Sequence, residues 1–179
     1  ANQLAYSTSD RERLEALMLL GHWLGDIHQP LHVSFRSDLG GNKIKVTPYA
    51  GQCDNLHWYW DHCLLLPANA LPPKTNRQHK AVERDLYREL QKLLSQSADE
   101  INNVSNVLGW ANESLSIVRS KRFNYCVISQ SECSPISEQG IVINRKYHEH
   151  HQKVIKQQIV KAAIRLSQLL EDSLSRPVQ

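Results

Sequence analysis

Two pairs of histidine and aspartate have residue types and a spacing that are suited to chemistry. His22 and Asp26 lie four positions apart in the run GHWLGDIHQPLH, and His57 and Asp61 repeat this spacing in NLHWYWD. Residues four apart on a helix share one face, with Cβ atoms about 5 to 6 Å apart, so the imidazole and carboxylate of each pair can reach one ion. His32 follows just beyond the proline that ends the first segment. Two helices could therefore bring five metal ligands together.

A simpler interpretation is that each pair is an exposed ion pair, which contributes only about 0.3 kcal/mol to a helix. Both pairs, however, lie among tryptophans and aliphatic residues, where an unpaired aspartate is costly to bury. Two coincident repeats in such surroundings favour a metal site over two ion pairs.

The ligand types indicate which ion would bind. Nitrogen and carboxylate ligands without cysteine suit Zn²⁺ better than the all-oxygen sites of Mg²⁺ or Ca²⁺, and Mn²⁺ or Fe²⁺ stay open as alternatives. A zinc ion with an open position lowers the pKa of bound water and polarises a phosphoryl or carbonyl oxygen. We therefore expect a catalytic site.

Helical patterns surround these residues and predict an all-α domain with one long irregular loop. The first helix, Arg11 to Ile27, follows a Ser-Asp cap, is dense in Leu, Ala, Met and Trp, and is expected to be largely buried until Pro30 ends it. Residues 32–55 are rich in Gly, Ser, Asn and Pro and can include a small hairpin, and residues 123–140 are predicted as loop. Further helices are predicted over Leu56 to Leu66, from Arg77, over Val104 to Val118 and over Lys146 to Leu174.

The composition is that of one soluble unit. With 179 residues and 41% hydrophobic side chains, residues 1–179 can bury one sizeable core as a single domain. The longest apolar stretch, Ala16 to Leu20, is far shorter than the roughly 20 residues that cross a bilayer, so no stable membrane association is expected. A net charge of +3, spread along the chain, mildly favours a polyanionic partner.

Four cysteines without a C-x-x-C pair allow three disulfide connectivities. We predict that Cys126 pairs with Cys133 and closes a short loop. Export would fit these cysteines, although four reduced thiols in a cytosolic protein fit equally well. Two matches to the glycosylation pattern, at Asn103 and Asn112, carry little weight because this three-residue signal is common by chance.

The run HWLGDIHQPLH, followed by Gly40-Gly41-Asn42 and then by NLHWYWD, resembles the zinc-dependent single-strand-specific nucleases, the fungal and plant type I enzymes with bacterial relatives. The resemblance continues through Trp110 into the last predicted helix and covers essentially the whole chain. It implies a phospholipase C-like helical fold, a secreted or periplasmic location and three zinc ions. The implied activity cuts single-stranded DNA and RNA, removes 3′-phosphates from nucleotides and leaves 5′-phosphates.

The resemblance also implies roles for the candidate ligands. His32, His57 and Asp61 would hold one zinc ion by themselves. His22 and Asp26 would supply part of a second site, and Asp26 would bridge to a third ion, which makes it the candidate catalytic residue.

Leu39 and Asn42 match positions near the nucleotide pocket of the family and are the candidate substrate-binding residues. The sequence departs from the family in one respect: family members begin with a tryptophan whose amino group and carbonyl bind zinc, followed by a histidine, and they supply a further Asp and His before the segment seen here. This chain opens at Ala1, so roughly the first third of a family member is missing and could accompany it as a separate N-terminal fragment. By itself the chain holds one complete three-ligand site, and we expect little activity from it alone.

Two other functions stay open. A phospholipase C relative would use closely similar zinc ligands on a lipid head-group phosphodiester, although the GDIHQPLH and GGN motifs favour the nuclease branch. A non-enzymatic helical module or inactive fragment would use the His and Asp pairs only to brace its core.

Several other histidines and aromatics are not assigned as ligands. His28 is expected to support the site or to lie at the surface, because Pro30 prevents helical pairing with His32. The cluster HEHH, residues 148–151, is predicted to be a solvated face. At least two of Trp23, Trp58 and Trp60 are expected in the core.

Overall fold

Helices dominate the computed structural model, which describes residues 1–97, 106–130 and 132–175. The all-α prediction is confirmed, and the predicted helices are present near their expected positions. A short helix at the start of the chain is additional, and the predicted start of one helix at Val104 lies outside the described residues. The α-helices are α1 Asn2–Tyr6, α2 Asp10–His28, α3 Leu56–Asp61, α4 Asn76–Ser97, α5 Val107–Val118 and α6 Arg145–Leu174, and Pro30–Val33 and Cys63–Leu65 form 3-10 turns.

Helix α2 carries the first His–Asp pair and begins and ends where the sequence predicts. The Ser9 hydroxyl accepts a hydrogen bond from the backbone N–H of Glu12, which satisfies one of the free N–H groups at the helix start. The helix stops at His28 because Gln29 takes an extended conformation ahead of Pro30, as residues before proline do.

The prediction that helix α2 is largely buried is wrong. Only Ala16, Leu24 and His28 of α2 are buried, because the helix packs on α1, α5 and α6 along one side. On the other side Met18 is 67% exposed and Trp23 is 61% exposed. No described element covers this apolar side of α2.

The core lies between α3, the turn that follows it and α6. Trp60 and Phe123 are fully buried, and their rings stack with centroids 4.7 Å apart. The Tyr59 hydroxyl lies 2.6 Å from Nδ1 of His148 on α6. These contacts use one face of α3 and leave the second His–Asp pair on its outer face.

Two predictions about aromatic residues need correction. Trp60 is in the core, but Trp23 and Trp58 are exposed, because they lie on the sides of α2 and α3 that do not pack on the core. His148 and His151 are buried rather than solvated. They lie three positions apart on α6 and therefore share the face that packs on the core.

Two pairs of short strands complete the fold. Strand β1 (Val46–Thr47) pairs in parallel with β4 (Ile141–Val142), and β2 (Cys126–Ser129) pairs antiparallel with β3 (Glu132–Pro135). A hairpin therefore lies within residues 123–140, which the sequence predicts as loop. Where the sequence allows a small hairpin, in residues 32–55, an antiparallel bridge joins Lys45 to Asn55. Such short strands have too few residues for a clear pattern, and the partner of β1 lies far along the chain.

Two disulfide bonds brace the irregular segments. The predicted Cys126–Cys133 bond is present, and Cys53 pairs with Cys63, so no cysteine is free. Closing loops of this length stabilises a fold by about 2 to 3 kcal/mol each. Gly51 has φ +73°, and a Cβ there would lie 2.2 Å from the Cys63 sulfur, so only glycine fits beside this bond.

Among the described residues, no helix has both the length and the apolar composition that crossing a bilayer requires. Asn112 is exposed on α5, and Asn103 lies outside the described residues.

Candidate metal centre

Three consecutive segments place the predicted ligands on one side of the molecule. His22 and Asp26 lie on successive turns of α2, His32 lies in the 3-10 turn that follows, and His57 and Asp61 lie on α3. The side chain of Asn55 begins α3 by accepting a hydrogen bond from the backbone N–H of Trp58. The helical spacing of each His–Asp pair is therefore realised, and the bend at Pro30 brings the two pairs toward each other.

The tightest cluster contains His32, His57 and Asp61, whose ligand atoms all lie within 4.8 Å of one another. Nε2 of His32 is 3.4 Å from Oδ1 of Asp61, and Nε2 of His57 is 3.4 Å from Oδ2. Ligands bound at 2.0 to 2.2 Å around a tetrahedral zinc ion are about 3.3 to 3.6 Å apart. The two histidine–aspartate separations match this spacing, and the two histidine nitrogens lie within 4.8 Å of each other, so a small shift of one ring would let the three side chains hold such an ion.

A backbone carbonyl fixes the orientation of His57. Nδ1 of His57 lies 2.8 Å from the Gly40 oxygen, and because a carbonyl can only accept, the proton is on Nδ1 and the Nε2 lone pair is free for a cation. Gly40 has φ +62°, and a Cβ there would lie 2.6 Å from the Leu31 oxygen. Only glycine allows this close approach. The ring of His57 also stacks on that of His32, with centroids 4.9 Å apart.

Gln29 connects the two motifs and is not among the predicted site residues. Its Nε2 donates to Oδ1 of Asp61 at 2.7 Å, and its Oε1 accepts from the Leu31 backbone N–H at 2.6 Å. The only sequence signal for Gln29 is its place between the helix end and Pro30. It holds the Asp61 carboxylate toward the two histidines.

Electrostatics keep the Asp61 carboxylate ionised. Burial alone would raise the pKa of Asp61, but hydrogen bonds from His32 and Gln29 bring it below its ordinary value. The hydrogen bond to Asp61 in turn raises the pKa of His32, against the opposing effect of burial. A carboxylate that stays charged is available as a ligand.

Asp26 lies between His22 and His32. Its Oδ1 is 3.2 Å from Nδ1 of His32, and its Oδ2 is 3.2 Å from Nε2 of His22. The His22 side chain is 69% exposed. Within the described residues the only three-ligand group is that of His32, His57 and Asp61, so His22 and Asp26 form an incomplete ligand set beside it.

A pocket of about 730 Å³ opens next to the cluster, and we call it the metal-side pocket. Leu39, a predicted substrate-binding residue, lines it and is exposed. Asn42, the other such residue, does not line it but donates from Nδ2 to the Leu39 oxygen at 2.9 Å, which braces the loop. The remaining lining residues are Trp23, Asp26, Ile27, Leu31, His32, Val33, Ser34, Phe35, Arg36, Gly40 and His57.

A buried polar chain behind the ligands holds the end of α2. Nδ1 of His28 donates to the Leu24 oxygen at 2.7 Å, and Nε2 lies 2.7 Å from a guanidinium nitrogen of Arg165. Arg165 also forms an ion pair with Glu113 at 2.8 Å. Burial lowers the pKa of His28, which suits a neutral ring that accepts from Arg165. His28 thus supports α2, and sequence offered no signal for Arg165 because it comes from α6.

Comparisons with known proteins agree with the motifs. The sequence profile of the S1/P1 nucleases matches residues 1–175. Endonuclease 3 of Arabidopsis thaliana is 34% identical over 134 residues, which are 74% of this chain and 37% of the relative. Nuclease S1 of Aspergillus oryzae is 27% identical over 188 residues, or 98% of this chain and 60% of the relative. Nuclease P1 of Penicillium citrinum is 35% identical over 104 residues, or 58% and 34%.

These matches cover the chain more fully than they cover the relatives. Among these three relatives, the share of the relative that the chain spans runs from 34% of Nuclease P1 to 60% of Nuclease S1. The comparisons give no support to a separate N-terminal fragment that accompanies this chain. Since the profile covers nearly all of its residues, the chain belongs to the S1/P1 nuclease family.

Proposed function

We propose that this protein is a zinc-dependent phosphodiesterase that cuts single-stranded DNA and RNA and removes 3′-phosphates from nucleotides, leaving 5′-phosphates. The observation that carries the proposal is the cluster of His32, His57 and Asp61, whose ligand atoms lie within 4.8 Å of one another at the wall of an open pocket. Membership of a nuclease family supports a phosphodiester as the substrate.

Zinc suits this cluster because two imidazoles and one carboxylate offer nitrogen and oxygen ligands. His32 and His57 would bind through Nε2, and Asp61 through its carboxylate. A bound zinc ion supplies a Lewis acid for a phosphoryl oxygen and lowers the pKa of water to near neutrality. Asp26, between His22 and His32, would be shared by two further zinc ions, so that the intact site holds three. Their other ligands would come from outside the described residues.

The metal-side pocket gives a reason for the preference for single strands. Leu39 and Trp23 present exposed apolar walls beside the cluster, on which an unpaired base can pack. A base in a duplex is not free to enter because it is stacked and paired. Arg36 lines the same pocket with an exposed guanidinium, where it can bind a phosphate of the strand.

The two disulfide bonds support a secreted or periplasmic location. Disulfides form and persist in oxidising compartments and are rare in the cytosol. Expression with and without export, followed by titration of free thiols, tests this part of the proposal. Equal amounts of folded, disulfide-bonded protein from a reducing cytosol would contradict it.

The test of function is to load the protein with zinc and to measure both metal content and hydrolysis. We expect this chain to bind at least one zinc ion. A preparation that carries all three zinc ions of the intact site should degrade a single-stranded oligonucleotide and a 3′-nucleotide, with no turnover of the matching duplex or of lecithin. His57→Ala is expected to lose the bound zinc and most of the activity, whereas His62→Ala, an exposed histidine just after the same helix, serves as the matched control.

The outcomes separate the three functions considered for this sequence. Turnover of lecithin but not of single strands would favour the lipid phosphodiesterase. A protein that carries its zinc ions and hydrolyses none of these substrates would overturn the proposal and leave a non-catalytic module.

A further inference from the structure

A second pocket, of about 960 Å³, lies away from the metal centre, and we call it the basic groove. It is lined by residues 121–124 after α5, by residues 141–147 around β4 and the start of α6, and by Glu149, His150, His151 and Lys153 of α6. It shares no lining residue with the metal-side pocket. Tyr147 in its lining is tied to the core, because the indole N–H of the buried Trp60 donates to the Tyr147 hydroxyl at 3.1 Å.

The charge of the groove is one-sided. Its one carboxylate, Glu149, pairs with Arg145 at 2.7 Å. The groove has four other cations, and within the described residues none of them forms an ion pair with a carboxylate. By contrast, three cations farther along α6, Lys156, Lys161 and Arg165, are all paired. Like charges held together repel, and an anion in the groove would relieve this repulsion. The four unpaired cations are Lys121, Arg122, Lys146 and Lys153.

Burial and the charges of Arg122 and Lys153 lower the pKa of His150. This places these two cations, which come from different segments, near one imidazole. The ring of His151 also lines the groove, is only 2% exposed, and keeps a buried Nε2 that has no hydrogen-bond partner among the described residues. Positive charge from two segments of the chain therefore converges on the groove.

The lining of the groove also includes apolar and aromatic side chains. Val142 is 75% exposed there, and Tyr147 lies partly exposed beside it. Grooves that bind single-stranded nucleic acid combine cations that follow the backbone with apolar or aromatic surfaces that contact the bases. A single small anion would use only part of a pocket of about 960 Å³.

One arginine connects the groove to the catalytic side along the surface. The guanidinium of Arg119 lies 5.9 Å above the Phe35 ring, and Phe35 lines the metal-side pocket. Arg119 precedes Lys121 by only two residues, which is at most about 8 Å of chain. Arg119 therefore lies on a short route between the two pockets.

We propose that the basic groove binds the phosphate backbone of single-stranded nucleic acid outside the metal centre, and that Arg119 guides the strand from the groove to the metal-side pocket. This inference rests on the proposed function, which makes nucleic acid the substrate. It adds a binding site that makes long strands better substrates than mononucleotides.

The experiment measures binding and turnover separately. A fluorescent oligodeoxythymidylate is titrated with the full chain in a chelator, so that no cleavage occurs, and anisotropy is followed at several salt concentrations. The triple variant Arg122→Ala, Lys146→Ala, Lys153→Ala is compared with Arg77→Ala, Lys80→Ala, Lys92→Ala, which removes the same charge from exposed positions on α4.

We expect the groove variant to bind the oligonucleotide at least about 10-fold more weakly at low salt. The plot of the logarithm of the association constant against the logarithm of the salt concentration should also become less steep, by about 2 in slope, because each of the three lost phosphate contacts contributes about 0.7 on a single strand. The α4 variant should bind like the unchanged protein. With zinc, the groove variant should show a raised KM for a long strand and an unchanged kcat for a 3′-mononucleotide. These results would support the groove as a site for the strand.

Equal weakening by both triple variants, or no weakening by either, would overturn the inference. Complete displacement of the oligonucleotide by millimolar inorganic phosphate would also overturn it, because the groove would then be a site for a single phosphate. Failure of the proposed function gives a different result, in which binding depends on the groove but the zinc-loaded protein cleaves nothing.

Discussion

Nδ1 of His57 donates a hydrogen bond of 2.8 Å to the backbone oxygen of Gly40, 17 positions earlier in the chain. The loop that forms a wall of the metal-side pocket therefore also orients a candidate metal ligand. A change in this loop is expected to alter ion binding even though the loop contributes no ligand of its own.

Gly40→Ala tests this relationship. The new Cβ would lie 2.6 Å from the Leu31 oxygen at a residue with φ +62°, and a non-glycine residue held in this region costs about 1 to 3 kcal/mol. We expect the free energy of unfolding to fall by that amount in urea titrations. We also expect zinc affinity, measured by chelator competition, to fall about 10- to 100-fold, as when an orienting partner is lost.

Gly25→Ala is the matched control, because a Cβ on this helical glycine meets nothing within 4 Å. Alanine in a helix interior is more favourable than glycine by about 1 kcal/mol, so we expect a small gain in stability. An equal loss of stability and zinc affinity in both variants would show that the contact with His57 has no special role.

Removal of metal is expected to destabilise the protein. At a free zinc concentration about 1,000 times the dissociation constant, binding adds about 4 kcal/mol to the free energy of unfolding, which corresponds to about 8 to 16 °C in Tm for a chain of this size. Differential scanning calorimetry with zinc and with a chelator measures this shift. His57→Ala should abolish the shift, and a Tm that is indifferent to the chelator would argue for side chains that only brace the fold.

Arg165→Met tests the buried chain behind α2. The Arg165 side chain is 6% exposed and bonds both His28 and Glu113, and removing one member of a buried charged network costs about 3 kcal/mol or more. We expect a loss of this size in denaturant unfolding. Arg84→Met, in an exposed pair with Asp85, should change stability by no more than about 0.5 kcal/mol. Similar values for the two variants would contradict a supporting role for Arg165.

Buried histidines are expected to make the fold sensitive to acid. Burial, with a contribution from His150, lowers the pKa of His151 from 6.5 to about 4. Between pH 4 and pH 6.5 the His151 side chain is therefore protonated in the unfolded chain but not in the folded one. Stability is therefore full above pH 6.5 and falls as the pH drops toward 4, by about 3 kcal/mol for this group.

His151→Phe should flatten the stability profile between pH 6.5 and 4 by about that amount, as measured by urea titrations at a series of pH values. Burial lowers the pKa of His28 and His148 in the same direction, so part of the acid sensitivity should remain. His79→Phe, at an exposed position on α4, is the control. An unchanged slope in His151→Phe would mean that this ring is accessible to protons in the folded protein.

The features that sequence predicts well here are local ones. The end of α2 at His28 follows from the proline two positions later, and the His–Asp spacing follows from helix geometry, so both could be stated before any coordinates. The burial of α2, the hairpin at Cys126–Ser129 and Glu132–Pro135, and the burial of His148 and His151 could not. Each of these depends on which distant segment lies alongside.

The sequence by itself determined which residues can act as metal ligands and how each His–Asp pair is spaced, because a helix places residues four apart on one face whatever surrounds it. Only the tertiary structure decided how close these ligands come: the family resemblance already grouped His32 with His57 and Asp61, and the ligand atoms of the three lie within 4.8 Å of one another. It also decided that Gln29 and Gly40 orient the ligands, that Arg165 supports α2, and that basic residues from two distant segments form one groove. These contacts join residues far apart in the chain, and the packing that brings them together depends on the whole core rather than on any local pattern.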